Sequence, residues 1–327
     1  MNILSIDGGG ARGIIPLLLL KEIVDRASQK TKTKLNVVDL FDFFSGSSIG
    51  TLIISSLLLP DPLDQTKPKY SIDDIIDIFI SDSQKFFDTT YLQNLRTLWG
   101  FRLPKYDNDP RPDAFNSLFK EITFGQLLKP IVFPCGDTLS DQPVYFDNQI
   151  QTYKDLKVCE ILLGTTGAPT YFQSKELIVN GQNTNLIDSG CVVNDTSALA
   201  FLTALKSNQT INKDQFYEIS FGTGQVAETY QSKFWGMAQW LPNIITSLID
   251  LNCENQEHEL SLITNSSQYD RFNPTIPYDL DYLDQPQYMP QYIAITKNWI
   301  TTNSEKIDSV VTKLTAKLTA KLTTKLG

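Results

Sequence analysis

The pentapeptide Gly46-Ser47-Ser48-Ile49-Gly50 fits the pattern Gly-x-Ser-x-Gly, with Ser48 at its centre. It joins the apolar runs LFDFF and TLIISSLLL, so the pattern predicts a sharp turn between a buried strand and a helix. At such a turn the serine hydroxyl is exposed, and the N-terminus of the helix favours developing negative charge. Ser48 is therefore a candidate nucleophile, with Gly46 and Gly50 forming its elbow. A small-residue turn without chemistry is the alternative.

A glycine cluster, DGGGARG at residues 7–13, follows the apolar strand NILSI and precedes a helical pattern. One interpretation is an oxyanion hole, in which successive backbone N–H groups of Gly8, Gly9 and Gly10 point at one oxygen. Arg12 would add positive charge to it. The cluster therefore predicts a site for developing negative charge at the end of the first strand.

Two other interpretations of the cluster stay open. Gly8, Gly10 and Gly13 satisfy the Gly-x-Gly-x-x-Gly pattern of a dinucleotide site. However, Asp7 would bring a carboxylate close to a pyrophosphate, and the acidic residue expected about 20 positions later has no clear candidate. The third interpretation is a glycine turn that only lets the strand and the helix approach each other.

A nucleophilic serine needs a group that accepts its proton. His258 is the only histidine, and its surroundings, CENQEHELS, predict an exposed helix. The chain order Ser48, Asp188, His258 matches an α/β-hydrolase triad, but the polar run favours a solvated surface histidine. A carboxylate can also deprotonate a serine directly, as a dyad. Asp188 follows the apolar NLI and precedes Ser189-Gly190, so it is the candidate base, with an ordinary turn aspartate as the alternative.

The elements that position these residues alternate between strands and helices. Strand, glycine turn and helix occur twice in the first 60 residues, which predicts a parallel α/β sheet. Ser71 is the predicted N-cap of a further helix, with Asp74 at its third position. Residues 88–113 are predicted to form a loop. The remaining predictions are strands in KPIVFPCGDT, QPVYFDN, LIDSG and FYEISFGTG, and a helix in KFWGMAQWLPNIITSLIDL that is interrupted at Pro242.

The last residues, VTKLTAKLTAKLTTKLG, repeat Lys-Leu-Thr-Ala with a period of four. Four residues advance a helix by roughly 400°, so the leucines form one slowly drifting stripe with lysines beside it. A basic amphipathic helix on a membrane surface is one interpretation. The favoured one is a terminal helix that packs on its own domain or frays.

Composition limits the classes of function. The chain has 327 residues, is 41% hydrophobic and carries a formal net charge of −9, which describes a soluble globular protein and argues against a nucleic-acid partner. Its four cysteines form no Cys-x-x-Cys pair, which favours free thiols over a metal site. MNILSIDGGG does not resemble a signal peptide. We therefore expect a cytoplasmic protein, soluble or peripheral to a membrane, with signal-less secretion left open.

Together these motifs resemble those of the patatin-like phospholipases. The family's three ordered motifs, Asp-Gly-Gly-Gly-x-Arg-Gly, Gly-x-Ser-x-Gly and Asp-Gly-[Gly/Ala], are matched by residues 7–13, 46–50 and 188–190. GAPTYFQS and FGTG are also similar to family segments. The resemblance covers about residues 1–225 and is weaker to 275. It predicts a lipid acyl hydrolase domain at 1–275 and a C-terminal extension at 276–327.

The resemblance implies a three-layer α/β/α fold with a mainly parallel central sheet and a Ser48–Asp188 dyad without a metal or cofactor. Gly8, Gly9 and Gly10 would hold the oxyanion. The implied activity is phospholipase A-type hydrolysis of phospholipids or related glycerolipids at a membrane or micelle surface. Any activating ligand or protein is left open. The alternatives are an esterase or thioesterase of small soluble substrates and a signal-gated or non-catalytic binding or storage protein.

This chain departs from the family pattern at two places near the candidate base. Ser189 stands where the family has glycine after the aspartate. Asp195-Thr196 stand where it has Asn-Pro, although Asn194 is kept. An added Cβ strains a tight turn that requires glycine. The two changes therefore leave open an altered geometry of Asp188, low activity, or activity only after a partner or ligand reorders the loop.

Overall fold

A central eight-stranded sheet organises the protein. The computed structural model describes residues 1–87, 96, 103–226 and 236–326. The strands of the sheet are β1 (Asn2–Ile6), β2 (Phe43–Gly46), β3 (Ile131–Asp137), β4 (Gln142–Asp147), β5 (Lys175–Val179), β6 (Gln182–Ile187), β7 (Tyr217–Phe221) and β9 (Tyr269–Phe272). They lie in the order β5-β6-β3-β2-β1-β7-β9, with β4 also paired to β3. A separate two-stranded ladder joins β8 (Gln225–Val226) and β10 (Thr275–Ile276).

The pairing is mainly parallel, as predicted. All neighbours along β3-β2-β1-β7-β9 run parallel, while β4, β5 and β6 pair antiparallel. The sequences NILSI, FFSG and YEISF are buried at every position, because a parallel strand inside an α/β protein is covered on both faces.

Helices cover both faces of the sheet and form the outer layers. They are α1 (Ile14–Thr31), α2 (Val37–Leu40), α3 (Ile49–Leu57), α4 (Ile72–Phe86), α5 (Arg111–Phe119), α6 (Gln151–Lys154), α7 (Val158–Thr165), α8 (Ser197–Ser207), α9 (Met237–Ile263), α10 (Met289–Thr302) and α11 (Ser304–Leu326). None in the described ranges is long and apolar enough to cross a bilayer.

Two hydrophobic clusters separate the three layers. Successive residues of a strand point to opposite faces, and Ile3 and Leu4 accordingly belong to different clusters. Ile3 packs with Phe201 of α8, and Leu4 lies in the larger cluster with residues of α1, α3 and α4. The fold is therefore the expected three-layer α/β/α arrangement.

The central strands end at the same level. Ile6 at the end of β1 is in register with Gly46 of β2 and with Phe221 of β7. The three segments that leave these ends therefore emerge side by side at one edge of the sheet. This is the edge at which open α/β sheets bind their ligands.

One local prediction, the N-cap of α4, is confirmed and two others are wrong. Ser71 caps α4 and receives the amide of Asp74, as predicted. The predicted interruption at Pro242 is wrong, since α9 continues through this position; a proline removes one N–H from the ladder while the other bonds remain. The loop predicted at 88–113 lies partly outside the described residues, and its end is wrong because α5 begins at Arg111.

The C-terminal segment joins the core of the preceding residues. Leu280, Tyr292 and Ile307 are buried in the same cluster as Leu4. The helix that carries the Lys-Leu-Thr-Ala repeat, α11, buries Leu314 there as well. Its described side chains therefore support a helix packed on its own domain. The boundary at 275 stays a prediction.

Candidate active site

Ser48 lies at a strained turn between β2 and α3. Its backbone has φ +48° and ψ −118°. Residues other than glycine rarely adopt this conformation, and those that do are concentrated at functional sites. The glycines on either side permit the turn. A Cβ on Gly46 would lie 2.7 Å from the carbonyl carbon of Gly50, and one on Gly50 would lie 2.2 Å from the oxygen of Ile6. The turn therefore requires both glycines and presents Ser48 at the edge of the sheet.

Of the two adjacent serines, only Ser48 has a hydroxyl that hydrogen-bonds to a described residue. Its Oγ donates a hydrogen bond of 2.8 Å to Oδ2 of Asp188. Ser47 is completely buried, and among the described residues its hydroxyl has no hydrogen-bond partner. Its backbone amide instead donates to the carbonyl of Ile6. Ser47 thus anchors the turn while Ser48 makes the polar contact.

Asp188 follows β6 and caps a short 3₁₀ turn, Ser189–Cys191. The amide of Gly190 donates to its Oδ1 at 2.8 Å, so both carboxylate oxygens are engaged. Burial raises the pKa of Asp188 to about 6, whereas the bonds from Gly190 and Ser48 and the charge of Arg111 lower it. The carboxylate is therefore ionised at neutral pH and is more basic than an exposed aspartate.

Arg111 is a buried cation that faces this carboxylate from α5. Its Nε and Nη2 bind the carboxylate of Asp109, and its Nη1 donates to the carbonyl of Thr166 at 2.6 Å. The guanidinium also lies 3.8 Å from the ring centroid of Phe172. These contacts hold the charge in one place without a direct bond to Asp188.

The glycine cluster passes directly beside Ser48. A Cβ on Gly8 would lie 3.0 Å from Cβ of Ser48 and 2.4 Å from Oδ1 of Asn194. A Cβ on Gly9 would collide with Thr223, whose hydroxyl donates to the carbonyl of Gly8. No described residue accepts a hydrogen bond from the amides of Gly8 and Gly9. Such amides beside a candidate nucleophile are suited to an oxyanion.

A segment near the C-terminus, residues 281–283, contacts the same glycine cluster. Gly10 has φ +56°, and its Cβ would lie 2.0 Å from the carbonyl oxygen of Leu283. This carbonyl accepts the amide of Ala11 at 2.7 Å. Arg12 is buried and binds Asp281 through Nη1 at 2.6 Å. Arg12, which was expected to add charge to an oxyanion hole, therefore has its charge paired with a carboxylate of this segment.

A large apolar cavity opens beside the pair. Its volume is about 960 Å³, and its lining includes Ser48 and Asp188. The apolar part of its wall comes largely from α3, α4 and α5, with Leu52, Ile53, Ile75, Phe79, Phe115 and Leu118. Such a wall is suited to hydrocarbon, while the polar pair lies among the residues that border it.

The two departures from the family pattern are accommodated. The expected strain at Ser189 is absent, because its φ is not positive. Its buried hydroxyl donates to the carbonyl of Pro134 at 2.7 Å and lies 3.1 Å from that of Thr165. Asp195 is fully buried, accepts the amide of Ser197 and lies 3.4 Å from Nη1 of Arg271. The turn at Ser189 therefore does not need glycine, and the carboxylate of Asp195 faces a cation.

His258 lies exposed on α9, and neither Ser48 nor Asp188 bonds to it among the described contacts. Within the described ranges, no group of His, Cys, Asp or Glu residues is arranged to hold a metal ion. The dinucleotide interpretation is also unsupported, because Asp7 is held in an ion pair with Arg271 at the start of the cluster.

Four polar residues around the site were not found from the sequence. Arg111 sits in a Pro- and Asp-rich segment that was predicted to be loop, and a buried arginine leaves no local signal there. Asn194 was noted only for its place in a motif. Arg271 and Asp281 belong to segments more than 80 residues beyond Asp188 and carry no pattern that links them to it. Only the fold brings them together.

The fold and the site define a three-layer α/β protein with a serine–carboxylate pair at the carboxyl end of a parallel sheet. The chain belongs to the patatin-like phospholipase family, whose model matches residues 4–202. Membership of this family supports a lipid ester hydrolase function.

Curated relatives agree with this assignment. The chain is 28% identical over 284 residues to "Patatin-like protein 1" of Arabidopsis thaliana, covering 78% of this chain and 68% of that protein. It is 27% identical over 267 residues to "Probable inactive patatin-3-Kuras 1" of Solanum tuberosum, covering 74% of this chain and 68% of that protein. The chain thus spans about two thirds of the length of these relatives.

Among solved structures, VipD from Legionella pneumophila aligns with this chain at 9% sequence identity and a TM-score of 0.37. The alignment covers 91% of this chain and 67% of the VipD chain. A likeness of this size adds nothing to the assignment of the fold or of the function.

Proposed function

We propose that the chain hydrolyses acyl ester bonds of phospholipids or related glycerolipids, as a phospholipase A-type serine hydrolase. The observation that carries the proposal is the 2.8 Å hydrogen bond from Ser48 Oγ to Asp188 Oδ2 beside a large apolar cavity. The bond joins a nucleophile to a base, and the cavity offers a place for the acyl chain.

In the first half-reaction, Ser48 Oγ attacks the ester carbonyl and its proton passes to Asp188. The carbonyl oxygen becomes an oxyanion, which the amides of Gly8, Gly9 and Gly10 stabilise. The C–O bond to the leaving alcohol then breaks, and Asp188 returns the proton to that alcohol. The lysolipid leaves, and the acyl group stays on Ser48.

In the second half-reaction, water attacks the acyl-enzyme. Asp188 takes a proton from the water, the tetrahedral intermediate collapses, and the proton returns to Ser48 as the fatty acid leaves. The pKa of Asp188, raised by burial to about 6, suits this role, because a base acts best when its pKa lies near the working pH.

The cavity favours a lipid over a small soluble ester. Its volume of about 960 Å³ lies near the upper end of the range of about 300–1,000 Å³ that is typical of ligand pockets. A short acyl group would leave much of this apolar wall without a partner. We therefore place the substrate in a membrane or micelle, from which a long acyl chain enters the cavity.

Release of fatty acid from phosphatidylcholine micelles tests the proposal. Ser48→Ala and Asp188→Ala should each abolish release, whereas His258→Ala should keep it. The same proteins assayed on a dispersed short-chain ester separate the lipase from the esterase alternative, because only a lipase gains rate when the substrate forms an interface. A His258→Ala protein without activity would contradict the dyad.

A non-catalytic role is the second candidate, since one relative carries the word "inactive" in its name. A fluorophosphonate probe distinguishes the two, because it reacts with an activated serine. Labelling of the wild type at Ser48, and none in Ser48→Ala, supports the hydrolase. A wild type that is not labelled in the presence or absence of micelles would favour the non-catalytic role.

A further inference from the structure

Arg271 is a buried arginine on β9 that contacts several segments below the site. Only 10% of its side chain is exposed. Its Nη1 and Nη2 form a bidentate pair with the carboxylate of Asp7, at 2.9 and 2.6 Å. Its Nη1 also donates to Ser220 on β7 at 2.6 Å, and its Nε lies 2.9 Å from Glu257 on α9. The guanidinium therefore ties β9 to β7, to α9 and to the residue that begins the glycine cluster.

Asp7 transmits this contact to the glycine amides. Its backbone N–H donates to the carbonyl of Phe221 at 3.0 Å, so both its main chain and its side chain are fixed. Gly8 follows directly, and its Cα is packed tightly enough that a Cβ would lie within 3.0 Å of Ser48. A small displacement of Asp7 would consequently change the distance from the Gly8 amide to the reacting carbonyl.

The same guanidinium also reaches the segment that follows Asp188. Asp195 Oδ2 lies 3.4 Å from Nη1 of Arg271. The preceding residue, Asn194, places its Oδ1 against Gly8 and within 3.2 Å of the Cβ position of Gly190. Arg271 therefore bridges the segment with the glycine amides and the segment next to the base.

The charges around Arg271 make it hard to replace. Asp7 and Asp195 are both buried carboxylates, and Glu257 is partly buried beside them. Burial raises the pKa of Glu218, a fourth carboxyl that accepts the hydroxyl of Ser5, which favours its protonated form. Loss of this cation would leave Asp7 and Asp195 facing each other without the guanidinium between them, and buried like charges repel strongly.

We propose that Arg271 is a positioning residue for acyl hydrolysis, which holds the Gly8–Gly10 amides against Ser48 through Asp7. The proposal rests on the proposed hydrolase function, since it concerns the amides that would stabilise the oxyanion. Arg271 lies outside the residues matched by the family model and is not among the residues that line the cavity. It acts only through the two segments that it joins.

Kinetics of Arg271 variants test the proposal on phosphatidylcholine micelles. Arg271→Met should lower kcat by about 100-fold with little change in KM, because misplacing a catalytic group by about 1 Å costs this much. Arg271→Lys should keep part of the kcat that Arg271→Met loses, since lysine keeps the charge but not the bidentate geometry. Asp7→Asn should also lower kcat, and the double variant should be no slower than Arg271→Met alone.

The matched control is Arg26→Met. Arg26 forms ion pairs with Glu22 and Asp308 between α1 and α11, away from the cavity. If Arg26→Met lowers kcat as much as Arg271→Met at the same unfolding midpoint, Arg271 only supports the fold and the proposal is overturned. If the losses of kcat in Asp7→Asn and Arg271→Met multiply in the double variant, the two residues act independently, and this result would overturn the proposal as well. Should Arg271→Met fail to fold, Arg271→Lys and Asp7→Asn carry the same comparison.

Hydrogen exchange separates this proposal from the hydrolase proposal. Peptides that cover residues 7–13 should exchange faster in Arg271→Lys than in the wild type, while peptides of α1 should not change. If the wild type releases no fatty acid, the hydrolase proposal fails, and faster exchange at 7–13 still supports the tie between Arg271 and the glycine cluster. Unchanged exchange at 7–13 overturns that tie whether or not the protein is active.

Discussion

Ser48 and Asp188 are 140 positions apart in the chain, and their side chains are joined by a 2.8 Å hydrogen bond. Each lies just beyond the end of a strand of the same sheet, Ser48 after β2 and Asp188 after β6. Strand β3 pairs with both and brings the two ends together. The pair is thus a product of the sheet order, and each residue is held by its own turn before any substrate binds.

The two neighbouring serines give the sharpest test of the nucleophile. Ser48→Ala should lower kcat by a factor on the order of a million, as removal of a serine nucleophile does in other hydrolases. Ser47→Ala should keep the activity, because the Ser47 hydroxyl is buried and has no partner among the described residues. Fatty-acid release from micelles measures both. Loss of activity in Ser47→Ala, with its fold intact, would contradict the assignment.

The pH profile reports the base. In the proposed mechanism Asp188 must be deprotonated to accept the proton of Ser48, and burial raises its pKa to about 6. We therefore expect kcat/KM to rise with pH and to level off above about pH 6. Arg111→Gln should move the rising part of this pH profile to higher pH by up to about one unit, because the charge of Arg111 lowers the pKa of Asp188. A shift to lower pH would contradict this electrostatic role.

The same raised pKa predicts a stability cost. The folded chain binds a proton at Asp188 more tightly than the unfolded chain does, so ionising this group between about pH 4 and pH 6 destabilises the fold. The change from an ordinary value to about 6 corresponds to about 3 kcal/mol. Asp188→Asn, which cannot ionise, should be more stable than the wild type at pH 8, and the difference should shrink towards pH 4. Urea unfolding at both pH values measures it; a difference that does not change with pH would contradict the prediction.

The turns of the candidate site were predictable from sequence because each is a local signal. Strand, glycine turn and helix are adjacent in the chain at residues 2–31 and 41–57, so their apolar pattern and glycines predict the turn that presents Ser48. The local sequence signal for Asp188 was weaker, since an aspartate before a turn is common. Its identification depended on the order of three motifs and on the poor placement of His258.

The surroundings of the site were not predictable in this way. Arg271 reaches Asp7, and Asp281 reaches Arg12, across more than 260 positions. A single sequence contains no periodic or turn signal for such pairs, because they depend on how β9 and the C-terminal segment dock on the sheet. The contacts of Ser189 were not predictable for a related reason. Its hydroxyl is held by carbonyls of β3 and α7, neither of which its own turn reveals.

Two glycines with positive φ give a matched test of the C-terminal segment. Gly10 has φ +56° and Gly181 has φ +76°, so alanine meets a similar backbone penalty of about 1–2 kcal/mol at each. Only at Gly10 would the Cβ also meet an atom, the carbonyl oxygen of Leu283 at 2.0 Å; nothing lies within 4 Å of the Cβ position of Gly181.

Gly10→Ala should therefore displace Leu283 or the glycine cluster. It should lower kcat by about 100-fold, through misplaced amides, whereas Gly181→Ala should lose only stability and keep its kcat. Unfolding midpoints and micelle kinetics of the two variants, measured side by side, separate the effects. Equal kcat values in the two variants would contradict this expectation. They would mean that the fold relieves the clash at Leu283 without moving the amides, so that the contact between residues 10 and 283 does not position them.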